Sequence, residues 1–221
     1  MTSVQVRELV ATDRRDVASA AALHMALFQT MGPMAHLGEF FVGRFCYSIL
    51  MRDGLMRAAI CEVEGRPAGL IAYTARSLTF HRTAIRDHWL YVAWLVALSV
   101  LRDPRVLLRL PKAARLMMSR RTEQRLGCDP VAEVLAIGVL PEFRSSAFVH
   151  RTGRRIGDML FRHAATYFRR TGLEQIRMIV DADNRAALLF YHRLGARFEP
   201  YEQAHVPSVL VWVDTNGHVP A

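Results

Sequence analysis

Val4 to Val10 alternates apolar and polar residues, the period of a β-strand with one buried face. Thr12 and Asp13 then stand as helix-capping residues ahead of the apolar positions Val17, Ala20, Ala21, His24 and Met25, and the Met31-Gly32-Pro33 cluster ends that helix. Glu39 to Arg52 repeats at helical spacing, with Phe40, Phe41, Phe45, Ile49 and Leu50 on one face. Ala58 to Val63 and Ala68 to Ala75 read as two strands joined at Glu64-Gly65-Arg66-Pro67, a hairpin signal.

The second half alternates strand and helix. Ala132 to Leu140 has strand character, and Gly153 to Arg170 carries Ile156, Met159, Leu160, Ala164, Tyr167 and Phe168 on one helical face before stopping near Gly172. Gln175 to Val180 is a strand, Asp183-Asn184 caps a helix that ends at Leu194-Gly195, and Val206 to Val213 is a late strand, followed by a loose tail at 216–221. Hairpins early and strand–helix alternation late imply an α/β sandwich around a mixed sheet. At 221 residues one domain covering 1–221 is expected.

Between the halves lies a segment of different composition. Residues 82–125 hold ten arginine or lysine side chains against three acids, so seven of the chain's nine net positive charges fall there. The segment also holds the apolar run Trp89 to Leu101, about 13 residues, where roughly 20 are needed to span a bilayer. Asp103-Pro104 and Pro111 divide it into two or three helices. Two readings stand side by side: a helical insertion with a solvated arginine face, or a basic amphipathic element that rests on an anionic membrane or covers an acidic acceptor.

Charge and cysteines narrow the function classes. A net charge of +9, nearly all of it arginine, suits a nucleic acid, an anionic membrane or a polyanionic small molecule. No aromatic-interleaved nucleic-acid motif is visible, so a nucleic-acid partner is not expected. Cys46, Cys61 and Cys128 are scattered and the histidines show no ligand-type pairing, which argues for reduced thiols, no metal and a cytoplasmic setting. The acid-bearing N-terminus does not read as a secretory signal.

The chemistry concentrates in 134–198. A strand is followed by Gly153, Arg154, Arg155, Ile156 and Gly157 at the mouth of an amphipathic helix. A helix start offers free N–H groups and partial positive charge, so this turn suits a phosphate-bearing cofactor. A Rossmann dinucleotide site is disfavoured, because no early strand–turn–helix carries G-x-G-x-x-G.

These residues resemble the GNAT-type N-acetyltransferase superfamily. Its signature V-x-P-x-x-R-G-x-G-I-G-x-x-L is matched by Val139, Pro141, Arg144, Gly153, Ile156, Gly157 and Leu160, and its N-x-x-A-x-x-x-Y-x-x-x-G-F stretch by Asn184, Ala187, Tyr191 and Gly195, with Ala196-Arg197-Phe198 closing it. The resemblance covers 4–76 and 132–213 in element order and is motif-specific over 133–198. The arginine- and leucine-rich segment resembles a bacterial branch of that superfamily. Two departures stand out: Ser145 to Thr152 separate Arg144 from Gly153 as an inserted loop, and Arg155 replaces a customary glycine, which asks the backbone to accept a side chain near the ligand.

The resemblance implies a largely antiparallel mixed sheet flanked by helices, with a helical insertion before the cofactor strand. It also implies acetyl-CoA as cosubstrate. The strand residues Ile137, Gly138 and Val139, where the chain splays from its neighbour, would meet the pantetheine arm. Gly153, Ile156, Gly157 and the cations Arg144, Arg151, Arg154 and Arg155 would hold the pyrophosphate. Asn184 would bond the pantetheine arm, unless it is a plain helix cap. Tyr191 would donate a proton to the departing thiolate, whose free pKa is about 8.5, unless it is an aromatic core residue on a helix face. Glu133 is the expected base for the attacking amine, directly or through water, unless it is a strand-end surface carboxylate, with His150 and His205 as weaker substitutes. No covalent nucleophile is needed, because the amine can attack in a ternary complex. The acceptor is a primary amine, with an anionic one such as a nucleotide-linked amino sugar favoured by the basic segment. A non-catalytic acyl-CoA-binding module and a peripheral membrane protein remain rivals, and oligomeric state is left open.

Overall fold

The computed structural model of the chain describes residues 2–28, 34–111, 130–203 and 206–215. The Met31-Gly32-Pro33 break, the basic segment from 112 onward, Cys128, His205 and the tail lie outside the described residues.

Strand β1 (Val4–Glu8) leads into helix α1 (Arg14–Phe28). After a 3-10 turn at Ala35–Leu37, helix α2 starts at Glu39–Phe41 and continues with the wider π-type winding over Val42–Leu50. Strands β2 (Arg57–Val63) and β3 (Arg66–Thr74) form the expected hairpin. Its two-residue turn has positive φ at both positions, 51° at Glu64 and 75° at Gly65, the twist that matches two antiparallel strands. Helix α3 (Ser77–Arg102) follows, kinked at His88 where φ is −126° and ψ 19°; it ends before Asp103-Pro104, and the chain turns helical again over 105–111.

The second half runs β4 (Ala132–Val139), a 3-10 turn at Pro141–Phe143, α4 (Ser146–Thr152), α5 (Ile156–Arg170), β5 (Gln175–Asp181), α6 (Arg185–Arg193), β6 (Arg197–Gln203) and β7 (Val206–Asp214). Strand β6 is not signalled by the apolar pattern, because Arg197, Glu199 and Pro200 break its alternation. It is an edge strand, where a missing N–H at Pro200 costs no internal ladder bond.

The seven strands form one sheet in the order β1-β2-β3-β4-β5-β7-β6. Every neighbouring pair is antiparallel except β4 and β5. Alternation along β2 and β3 sends side chains to two cores. Ala58, Ile60, Leu70 and Ala72 meet Phe41, Phe45 and Leu50 of α2 and Phe80 and Leu95 of α3. Ala59, Cys61, Ile71 and Tyr73 meet Ile156, Leu160, Phe161 and Phe168 of α5. Period-two strands thus bind the two helical layers to opposite faces of one sheet.

The parallel pair carries the functional geometry. Strands β4 and β5 share only two rungs, Ala132 with Ile176 and Glu133 with Arg177. Beyond them β4 stays paired to β3 as far as Val139, but has no strand partner on the β5 side among the described residues. Pairing with β3 shifts register between Tyr73–Val134 and Ala72–Ala136, which leaves Leu135 as an extra residue. Such a bulge bends the strand that carries it, and here it falls where β4 leaves β5.

Candidate acetyl-CoA cleft

The opening between β4 and β5 is the first part of the site. Ile137, Gly138 and Val139 lie on the part of β4 that has left β5, so their β5-side edge lacks a strand neighbour among the described residues. Backbone amide and carbonyl groups on an unpaired edge are a template for another extended chain, and a pantetheine arm with its two amides is one.

Glycines let the helices close on this strand. A Cβ on Gly69 would meet the carbonyl oxygen of Gly138 at 2.9 Å, Leu160 at 3.0 Å and Ile156 at 3.1 Å, so α5 begins hard against β3 and β4. A Cβ on Gly138 would meet Phe28 at 2.9 Å and Leu27 at 3.0 Å, so the end of α1 presses on β4. Gly157 would meet Phe190 of α6 at 3.2 Å. Gly138 and the signature glycine Gly157 thus serve helix packing.

The helix mouth is the second part. The residues expected to form an inserted loop are instead helix α4. Ser145 Oγ accepts the Phe148 N–H at 3.3 Å as its cap, and Phe148 is buried in the second core. The helix ends at Gly153 in the left-handed region, φ 64°, the conformation that favours glycine at a C-terminus. The two-residue link Arg154-Arg155 then enters α5, whose first residue is Ile156 rather than Gly153. Arg155 takes φ −107° and ψ 105°, ordinary extended backbone, so its backbone conformation demands no glycine. Arg155, the N-cap of α5, makes no side-chain cap bond to the first turn, while the preceding Gly153 and Arg154 N–H groups donate to the Val149 carbonyl and to Thr152 Oγ1. Arg144, Arg151, Arg154 and Arg155 are all exposed around this mouth. The arrangement fits a pyrophosphate: uncapped amides, the positive end of a helix of 15 residues, and guanidinium groups beside it.

Helix α6 places the other two expected residues. Asn184 is its N-cap, with Oδ1 accepting the Ala187 N–H at 3.2 Å, so that oxygen is committed to the helix. Tyr191 lies within the second core, 3% exposed, against Phe190 and Phe161 at ring separations of 5.0 and 6.2 Å. Burial pushes its phenol well above the ordinary tyrosine range, so it stays a protonated donor at neutral pH. Asp158, in the first turn of α5, is held by Arg193 of α6 at 3.3 Å, which ties the two helices flanking the cleft.

Glu133, the expected base for the attacking amine, is buried at the last rung between β4 and β5. Its Oε2 accepts from Arg177 at 2.9 Å, its cross-strand partner, and from the Ser77 hydroxyl; Arg177 also donates to that hydroxyl. A carboxylate oxygen so engaged is poorly placed to take a proton from an amine. Ser77 is the first residue of α3, so this cluster pins the start of α3 to the fork of the sheet. Arg177 and Ser77 were missed because they lie 44 and 56 residues from Glu133 and only the fold brings them together. His150 sits exposed on α4.

The helix layer on the α1 side holds a further polar pair. His24 Nδ1 lies 2.9 Å from the Tyr47 hydroxyl. Burial lowers the His24 pKa to about 4 and raises that of Tyr47, so both are neutral near pH 7. Among the described residues, no cluster of histidine, cysteine and carboxylate side chains is arranged to hold a metal.

A mixed sheet forked at one parallel pair, with an uncapped helix start below the fork, defines the GNAT class of fold. Solved structures agree in fold across nearly the whole chain. The structure of SsHAT aligns with TM-score 0.59 at 17% identity, covering 96% of this chain and 98% of its own. The PaiA N-acetyltransferase from Thermoplasma acidophilum, solved with coenzyme A, aligns at 0.53 and 13% identity, covering 96% and 99%. A mutant agmatine N-acetyltransferase in its apo form aligns at 0.55 and 16% identity, covering 96% and 100%. In sequence, residues 113–196 match the model of the acetyltransferase (GNAT) family. No curated protein sequence matches the chain.

Proposed function

We propose that the protein transfers an acetyl group from acetyl-CoA to a primary amine by direct attack in a ternary complex. The observation that carries the reading is the fork of β4 and β5 over the uncapped, arginine-flanked start of α5. In this reading the free edge of β4 at Ile137–Val139 orients the pantetheine arm, and Gly153 to Gly157 with Arg144, Arg151, Arg154 and Arg155 hold the phosphates. Tyr191, kept neutral by burial, is the donor to the leaving sulfur. Asn184 shapes the cleft as the cap of α6, with its amide nitrogen left for the pantetheine arm. The amine nitrogen attacks the thioester carbonyl, the C–S bond breaks, and the proton lost by the amine goes to solvent or to a base other than Glu133.

An anionic acceptor such as a nucleotide-linked amino sugar followed from the basic segment. The described arginines of that segment, Arg82, Arg86, Arg102, Arg105 and Arg109, lie on α3 and 105–111. They carry no argument about the cleft, and the proposal is for a primary amine without a preferred charge. The non-catalytic acyl-CoA-binding module stays the rival reading, motivated by Arg155 and the extra residues 145–152 beside the helix mouth. A cytoplasmic setting belongs to the same proposal, supported by two buried free thiols, Cys46 and Cys61.

The test is release of CoA from acetyl-CoA against a panel holding agmatine, spermidine, a peptide α-amine and a nucleotide-linked amino sugar. Turnover with at least one amine is expected. Cofactor binding with no turnover on any amine class would replace this reading with that of a binding module.

A further inference from the structure

Helix α3 carries a surface that acetyl transfer does not use. It is the one described helix long and apolar enough to cross a membrane, yet only 17% of its apolar stretch is buried. Among the described residues, six of the nine exposed large hydrophobic side chains lie on it or just after it: Trp89, Leu90, Trp94, Leu101, Leu107 and Leu108. Trp89 is 61% exposed, Leu101 79% and Leu108 83%. Leu90, Trp94 and Leu101 recur at helical spacing along one side, whereas Phe80, Ala84, Leu95 and Ser99 are buried.

The helix cannot span a bilayer in this fold. Its first turn is locked to the sheet through Ser77 and the buried Glu133–Arg177 pair. Its first half carries Arg82, Arg86 and Asp87, and its end is held where the Arg102 guanidinium lies 3.9 Å over the Phe40 ring. A helix pinned along its length presents one face only. That face combines two tryptophans and four leucines with flanking arginines, Arg105 and Arg109. The nearby acids are already engaged: Asp87 pairs with Arg86 at 2.7 Å, and Asp103 accepts the Arg105 N–H at 3.0 Å.

We propose that this face, α3 from Trp89 to Arg102 with 105–111, lies in the interface of an anionic lipid membrane. Tryptophan and leucine enter the headgroup–acyl boundary, and the arginines meet anionic headgroups. The cationic rim decides against a second copy of the chain as occupant, because symmetric pairing would bring like-charged rims together.

The full chain is floated with phosphatidylcholine–phosphatidylglycerol vesicles and with pure phosphatidylcholine vesicles, at low and at raised salt. Binding to the mixed vesicles, weakened by salt and by removal of phosphatidylglycerol, is expected. Tryptophan emission should shift to the blue on binding, since two of the three tryptophans sit on this face and Trp212 is on β7. Trp89→Ser with Trp94→Ser should abolish flotation. Arg105→Gln with Arg109→Gln should weaken it about thirtyfold, at about fivefold per arginine near the surface. Leu108→Gln, at the most exposed position, weakens binding with an unchanged thermal melt and guards against loss of fold. The proposal is overturned if mixed vesicles bind nothing at low salt, or if these substitutions leave binding unchanged. A concentration-dependent dimer that the tryptophan substitutions dissolve, without vesicle binding, would overturn it in favour of self-association.

Discussion

Replacing Arg177 with methionine removes the cation from the fork of the sheet and leaves the Glu133 carboxylate buried without that charge beside it. The two side chains are 8% and 4% exposed and meet at 2.9 Å, so water cannot replace the lost contact. An exposed pair of this kind is worth about 0–1 kcal/mol, but breaking a buried one by removing one partner costs about 3–5 kcal/mol. A domain of this size has a total stability of about 5–15 kcal/mol, so the single change should remove about a fifth of it or more. The Ser77 hydroxyl also donates to Glu133, and Ser77→Ala should cost less, about 1–3 kcal/mol for a hydrogen bond to a charged group. Glu133→Leu with Arg177→Met removes both charges together and should recover most of the loss, because no uncompensated ion stays behind. Urea unfolding of these proteins and Glu133→Leu at one pH, followed by circular dichroism, gives the cycle. A loss below about 1 kcal/mol for Arg177→Met would refute the reading of this cluster as the pin of the fork. So would a Glu133→Gln protein of unchanged stability whose turnover falls by about a hundredfold, since that is the behaviour of a general base.

Tyr191→Phe should lower kcat for CoA release by about 10²–10⁴ while leaving the Kd for acetyl-CoA nearly unchanged; an unchanged kcat would remove the tyrosine from the chemistry. Gly69→Ala places a methyl 2.9 Å from the Gly138 carbonyl oxygen, and overpacking of that kind should cost about 1–3 kcal/mol in urea unfolding; a neutral result would mean α5 can move off the strand. Burial holds His24 at a pKa of about 4 against the usual 6.5, so the unfolded chain binds this proton first as pH falls. Stability should therefore be full above pH 6.5 and decline toward pH 4, by up to about 1.4 kcal/mol per pH unit from this group. His24→Gln should flatten that part of the profile, and an unaltered slope would assign it to other groups.

Much of the fold was readable from the pattern because it is local. The β2–β3 hairpin announced itself through Gly65, and α5 through the run from Ile156 to Phe168, each a periodicity within a few turns. The start of α5 was legible within a few residues, its first residue Ile156 following Gly153 and two arginines, whereas the use of the Gly153 N–H by the Val149 carbonyl and of the Arg154 N–H by Thr152 appears only in the structure. What escaped the reading depends on tertiary contacts. Residues 145–152 resembled a loop because Ser145, Ser146 and Thr152 are weak helix formers, and their helix rests on a cap and on the burial of Phe148. Glu133 looked like a free carboxylate because Arg177 is opposite it only through the two parallel rungs. Strand β6 was obscured by Pro200 and its charged neighbours, which an edge position tolerates. Apolar residues on α3 fit a core as well as a surface until the structure showed which side the tryptophans take.

Titration of acetyl-CoA into the full chain and into the Arg154→Glu, Arg155→Glu protein by calorimetry tests the cleft most directly. One molecule should bind per chain, with an affinity at least about tenfold weaker in the charge-reversed protein, because two guanidinium groups beside the uncapped start of α5 become repulsive to phosphate. Equal affinity in the two proteins, or no heat of binding in the unmodified chain, would contradict the assignment of this helix mouth to the cofactor phosphates.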